Sequence, residues 1–134
     1  MIEVETIDHI VLRTVNTKAM LQFYCGVLNC PIERELPDLG LIQLRAGSAL
    51  IDIVLVDSEL SRKGGKAPSQ NGRNLEHLCL RIAKAQEPTL LQYLSTNGIK
   101  VQDFEERYGA DGYGRSIYVN DPEGNVVELK ISNN

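Results

Sequence analysis

The chain has two histidines, His9 and His77, and both occupy the same place in a short repeated pattern. Ile7-Asp8-His9-Ile10-Val11-Leu12 and Leu75-Glu76-His77-Leu78-Cys79-Leu80 each place an acid before the imidazole and a Leu three positions after it, 68 positions apart in 134 residues. A repeat at half the chain length marks an internal duplication, and duplicated modules can turn two imidazoles toward one shared site. Neutral imidazole is the commonest metal ligand, so the repeat raises metal chemistry directly. A second pair supports it. Leu50-Ile51-Asp52-Ile53-Val54 and Val126-Val127-Glu128-Leu129-Lys130 each interrupt an apolar, β-branched run with one carboxylate, 76 positions apart. A carboxylate placed so must find a cation, a hydrogen-bond partner or water.

Strand parity decides which of these side chains share a face. His9 falls with Val11 and Arg13, and His77 with Cys79 and Arg81; Asp52 falls with Leu50 and Val54, and Glu128 with Val126 and Lys130. His9, Asp52, His77 and Glu128 together would make a mixed nitrogen and oxygen donor set suited to Zn, Ni, Mn, Co or Fe(II). On an octahedral ion two positions would stay open for water or substrate oxygens. Each residue alone is more often a hydrogen-bonded core histidine or an edge carboxylate; the duplicated positions favour the metal reading. Arg13 and Arg81 suit a substrate carboxylate or phosphate, and equally a surface ion pair. Tyr108-Gly109-Ala110-Asp111-Gly112-Tyr113-Gly114-Arg115 reads either as a substrate-facing loop offering Tyr113 and Arg115 or as a plain hairpin connection. Cys79 lies beside His77 by parity, and a small buried thiol is its simpler role.

The elements that must position these residues also come twice. Residues 6–13 read as a strand, and Asn16 is an N-cap candidate for an amphipathic helix over 17–28, closed by Asn29 and Pro31. Strands follow at 31–36, 40–46 and 49–56. The strand around His77 leads to a helix over 86–97, stopped by Asn97-Gly98, and then to strands at 100–105, 113–120 and 124–131. The expected fold class is α+β: paired βαβββ modules, about 1–57 and 74–134, forming an open, curled mixed sheet within one domain. Residues 58–73 are polar and glycine-rich and read as a linker. The Gly64-Gly65 pair in it lacks the context of a phosphate loop.

Composition narrows the function classes. With 43% hydrophobic residues the chain can bury a core of its own. A net charge of −4 and a pI near 5.2 argue against nucleic acid or an anionic membrane as partner. No apolar run approaches a membrane span, the acidic start is unlike a signal peptide, and three cysteines without a CxxC spacing fit a reducing compartment. The expected location is the cytoplasm.

The chain resembles the vicinal oxygen chelate superfamily, which includes glyoxalase I, epimerases, extradiol dioxygenases and fosfomycin- and bleomycin-resistance proteins. The resemblance rests on Asp8-His9-Ile10-Val11-Leu12, Phe23-Tyr24-Cys25-Gly26-Val27-Leu28, Glu76-His77-Leu78 and the closing run Ser116 to Glu128 with its Asp121-Pro122-Glu123-Gly124-Asn125. It implies a glyoxalase-like fold, with His9, Asp52, His77 and Glu128 on the four ligand positions and Arg13 where such members bind the anionic end of glutathione or another thiol. It implies a lyase or isomerase in which a metal ion stabilises an enediolate formed when a carboxylate, Glu128 before Asp52, removes a proton. Asp52 stands where a glyoxalase I usually has Glu, one methylene longer. The alternatives are an epimerase, a fosfomycin-type thiol transferase, or a metal-free protein that sequesters a drug or other ligand as bleomycin-binding members do; extradiol dioxygenation is less favoured because it uses a single His-His-Glu triad.

Open sheet edges and the resemblance together imply a homodimer. Light scattering at micromolar concentration is expected to give twice the chain mass, and a monomer there counts against this.

Overall fold

The alternation that starts at His9 forms β1 (His9–Thr14), with Leu12 and Thr14 buried on one face and His9, Val11 and Arg13 on the other. The computed structural model describes residues 1–134, which divide into two compact units, Met1–Asn74 and Leu75–Asn134. The first holds β1, α1 (Thr17–Leu21), β2 (Ile32–Leu36), β3 (Leu41–Ala46) and β4 (Ala49–Leu55). The second holds β5 (His77–Ile82), α2 (Glu87–Thr96), β6 (Glu105–Gly109), β7 (Gly112–Asn120) and β8 (Val126–Ile131). Each unit is therefore βαβββ, as expected, and the fold class is α+β. The strands form two four-stranded mixed sheets in the orders β1-β4-β3-β2 and β5-β8-β7-β6.

The first strand of each module runs parallel to the last, and the other neighbours are antiparallel. The duplication reaches down to the register. His9 pairs with Leu50 and Val11 with Asp52; His77 pairs with Val126 and Cys79 with Glu128. Each carboxylate thus stands across from the residue two positions after the histidine, on the same face as that histidine. On the opposite face Ile51 and Ile53 in one unit, and Ile117, Val119, Val127 and Leu129 in the other, are almost wholly buried. Each such side chain contributes about 1.5–3 kcal/mol on burial.

The first helix begins where expected, with the Asn16 side chain accepting from the Ala19 N–H at 3.0 Å. It does not continue as an α-helix to residue 28. After Leu21 it widens into a π-helix over Gln22–Val27, seen in the Leu28 N–H donating to the Phe23 carbonyl. The wider turn lets the consecutive rings of Phe23 and Tyr24 both enter the core, where they meet edge to face at 4.9 Å. Asn29 then ends the helix with a φ of +58°, the left-handed conformation that Asn tolerates better than most residues.

The expected strand at 100–105 is the other correction. The ladder instead starts at Glu105, because the hairpin turn at Ala110-Asp111 fixes Gly109 opposite Gly112 and the pairing is counted back from there. Residues 101–104 lie outside the ladder, although Phe104 is buried, so their alternation reflects one anchored ring. The Tyr108–Arg115 segment forms the β6–β7 hairpin, with Ala110-Asp111 as its turn. Residues 58–73 include a short 3₁₀ turn at Arg62–Gly64 and a bridge between Ser69 and Gly72. No helix is long and apolar enough to cross a membrane.

Arg115 on β7 clamps the start of α2 by donating two hydrogen bonds to the Glu87 carboxylate, both at 2.9 Å. These bonds and the guanidinium charge hold the Glu87 carboxyl below its usual pKa. A depressed carboxyl stabilises the fold above its unfolded-state pKa, and the contribution disappears as pH falls through the folded-state value. The melting-temperature deficit of Glu87→Gln relative to wild type is expected to be small at pH 7, as for other exposed pairs, and to close below about pH 4. A deficit unchanged at pH 3 would show that the clamp is not electrostatic.

Candidate functional site

In the second module, parity and register gather His77, Cys79 and Arg81 from β5 with Glu128 and Lys130 from β8 along one face. They line a cleft of about 280 Å³, closed on one side by Tyr108, Gly109, Ala110 and Asp111 of the β6–β7 hairpin. Glu128 is buried, and its Oε1 lies 3.4 Å from His77 Nε2. The other ring nitrogen, Nδ1, faces Glu76 Oε1, also at 3.4 Å. Tyr118, directly opposite Glu128 on β7, sets its ring edge to face against the imidazole at 5.6 Å. The Arg107 guanidinium covers the same tyrosine ring at 4.0 Å.

Cys79 opens toward the cleft, yet the surrounding protein desolvates its thiol and the adjacent Glu128 carboxylate opposes a second negative charge. Together they push its pKa up to about 11. The thiol therefore stays protonated at neutral pH and acts as a donor toward Glu128 rather than as a nucleophile.

The first module repeats the pair with different support. Asp52 is buried, and Gln43, opposite it on β3, donates its side-chain N–H₂ to both carboxylate oxygens at 3.2 and 3.1 Å. His9 is half-exposed, and its Nδ1 lies 2.7 Å from Asp8 Oδ1. That hydrogen bond raises the His9 pKa, partial desolvation opposes it, and the charges of Asp52 and Asp8 add to it.

Both histidines thus turn Nδ1 toward the acid that precedes them in sequence. This is the outer-shell arrangement that orients a metal-binding imidazole and leaves Nε2 for an ion. Donor atoms on one ion at the usual bond lengths stand roughly 2.9–3.4 Å apart, and the His77 and Glu128 atoms meet that spacing. The His77–Glu128 pair therefore fits one edge of a divalent-cation site, one nitrogen and one carboxylate oxygen. Within each module the grouping stops at two, and no three His, Cys, Asp or Glu side chains converge.

The arginines in the equivalent positions differ. Arg13 is enclosed by the 61–66 segment: Nε donates to Ser61 Oγ at 2.8 Å, and the terminal nitrogens donate to the carbonyls of Ser61, Gly64, Gly65 and Lys66 at 2.7–3.3 Å. Its side chain organises that segment. Arg81 pairs with Asp111 at 2.8 Å and remains open to the cleft. Arg115 is held by Glu87, and Tyr113 is largely exposed, with its ring edge to face against Tyr108 at 5.1 Å. Gln43, Tyr118 and Lys130 were missed in the sequence reading. The signal for the first two was present: each lies directly across the ladder from a carboxylate, which becomes visible once the register is known.

The sequence profile of the Glyoxalase/Bleomycin resistance protein/Dioxygenase superfamily matches residues 6–129. The chain belongs to that superfamily. No curated protein matches significantly. Among solved structures, VPC_CASS1 from the mobile metagenome of V. Pseudocholerae is 22% identical, with a TM-score of 0.76 and coverage of 100% of this chain and 99% of that one. Lactoylglutathione lyase from Agrobacterium tumefaciens is 17% identical, with a TM-score of 0.65 and coverage of 96% and 95%. The fosfomycin resistance protein FosX from Listeria monocytogenes is 18% identical, with a TM-score of 0.67 and coverage of 97% and 95%. These likenesses establish the fold.

The Arg13 cage yields a direct test. Hydrogen bonds to a charged group contribute about 1.5–3 kcal/mol each, so Arg13→Ala is expected to speed amide exchange at residues 61–66 by roughly tenfold or more while β4 stays protected. Unchanged exchange there would show that the segment holds itself in place.

Proposed function

We propose that this protein is a metal-dependent lyase or isomerase of the glyoxalase type, acting on a small oxygenated metabolite with Glu128 as the base. The observation that carries the reading is the His77 Nε2 and Glu128 Oε1 pair, 3.4 Å apart at an open cleft, with His77 oriented from behind by Glu76. His9, Asp52, His77 and Glu128 would hold the ion. When bound, it would polarise substrate oxygens as a Lewis acid. The Glu128 carboxylate, largely withdrawn from water, takes a proton from the carbon beside the substrate carbonyl. The Cys79 thiol donates toward that carboxylate and stays protonated, so it does not compete for the substrate. Tyr118 and Arg107 fix the imidazole plane. Asp52, tied by Gln43, is less free to move than Glu128, which makes it the second choice as base. A homodimer, a cytoplasmic location and glutathione or another thiol as cosubstrate complete this reading.

Similarity to a lactoylglutathione lyase and to FosX supports screening the glutathione adduct of methylglyoxal first, then epimerisable thioesters and thiol transfer. Protein purified without a histidine tag is expected to carry divalent metal, and His77→Ala to lose it together with the thermal stability it confers. With metal in excess, Glu128→Gln is expected to retain substrate binding but to lose solvent-deuterium exchange at the substrate carbon by about 10²–10⁴-fold. If the metal-loaded wild type exchanges no proton in any of these compounds yet binds a bulky apolar one tightly, the protein is a sequestering module instead.

A further inference from the structure

The polar face of the second module contains one charge that the chemistry above does not use. Lys130 is only 7% exposed, and it lines the cleft beside Glu128. Its ammonium donates to the Gly112 carbonyl at 2.6 Å and makes no ion pair, whereas Arg81 is matched by Asp111 and Glu128 faces His77. An ammonium has three donors, so two remain uncommitted. Burying a cation without an opposite charge is costly, and such a group is retained where something else supplies the counter-charge.

The hairpin is built around this side chain. A Cβ added at Gly109 would lie 2.7 Å from Lys130 Nζ, and one at Gly114 would lie 2.9 Å from its Cε. Glycine at both positions clears a lane along which the lysine reaches the hairpin end of the cleft. Arg81 stands directly across the ladder from Lys130, so two cations from adjoining strands face the same space.

We propose that Lys130, assisted by Arg81, binds the anionic group of the substrate, and that this substrate is a compact acid carrying a carboxylate or phosphate. The proposal rests on the reading of this cleft as the substrate site. Glu128 and Lys130 leave the same face of β8 two residues apart, about 6.6 Å along the strand, so the anion and the base share one cleft. That matches a substrate whose charged end is a few bonds from the carbon that loses its proton. A wholly apolar ligand would leave the two uncommitted donors of Lys130 without an acceptor.

The test is amide-resolved NMR titration of the full chain, in excess chelator and at constant ionic strength, with inorganic phosphate in one arm and acetate in the other. Saturable shifts are expected at Gly109, Gly112 and Lys130. Lys130→Met should weaken the affinity at least tenfold, and the arm with the larger loss identifies the preferred anion. Gly109→Ala retains the charge but displaces the ammonium, and should weaken binding by an intermediate factor even if Lys130→Met folds poorly. No saturable shift in the cleft with either anion, or equal affinity in wild type and both variants, overturns the proposal. Glu128→Gln separates the two ideas: it removes the proposed base but, by taking away a neighbouring negative charge, is expected to bind the anion at least as tightly as wild type does. Anion binding without proton exchange in the wild type would leave this site standing and remove the proposed reaction.

Discussion

Everything at the candidate site depends on the parallel pairing of the first and last strands within each module. A parallel pair cannot be closed by a tight turn, so the chain must leave β1, cross over through a helix and return by an antiparallel meander. That route makes β4, and likewise β8, an interior strand with neighbours on both sides. A carboxylate on an interior strand has water on one face at most, and its neighbours are dictated by register. The histidine and the carboxylate therefore become partners through backbone hydrogen bonding before any side-chain chemistry acts. A slip of one residue would send Asp52 or Glu128 into the apolar layer occupied by Ile51 and Ile53, or by Val127 and Leu129.

The two modules meet the cost of a buried carboxylate in different ways. Asp52 receives a neutral amide, Gln43, on both oxygens, which compensates for desolvation without neutralising the charge and fixes the group's orientation. Glu128 instead has an imidazole and a thiol beside it, and Tyr118 opposite it supplies shape rather than a hydrogen bond to the carboxylate. Duplication thus provides the same backbone position twice, and divergence of the facing residue gives the two carboxylates different surroundings.

Much of this was legible because it is periodic. The acid-His pattern, the single carboxylates and the turn residues recur at matching spacing, so the two βαβββ modules and the shared face of His77, Cys79 and Arg81 follow from parity. The π-helix was not legible, since two adjacent aromatic residues in a helical stretch look like one more amphipathic turn. The segment at 100–105 misled for a related reason: Phe104 is buried like a strand residue, but no partner strand lies beside it. Arg13 and Arg81 could not be told apart by parity, because their fates are set by what folds over them. The Ser61–Lys66 carbonyls belong to a segment whose composition shows only that it is polar and glycine-rich.

The same asymmetry concentrates the positive charge that faces a cleft in the second module. Across the ladder from Arg13 stands Val54, and the arginine itself is committed to backbone carbonyls, so that end of the first module presents little free positive charge. Across from Arg81 stands Lys130, and the hairpin above it contains glycine where any other residue would displace the lysine. Gly112, whose φ of +88° already favours glycine, also supplies the carbonyl that steadies the ammonium. One turn therefore serves two ends at once, closing the β6–β7 register and setting a buried charge in the cleft that holds the His77–Glu128 pair.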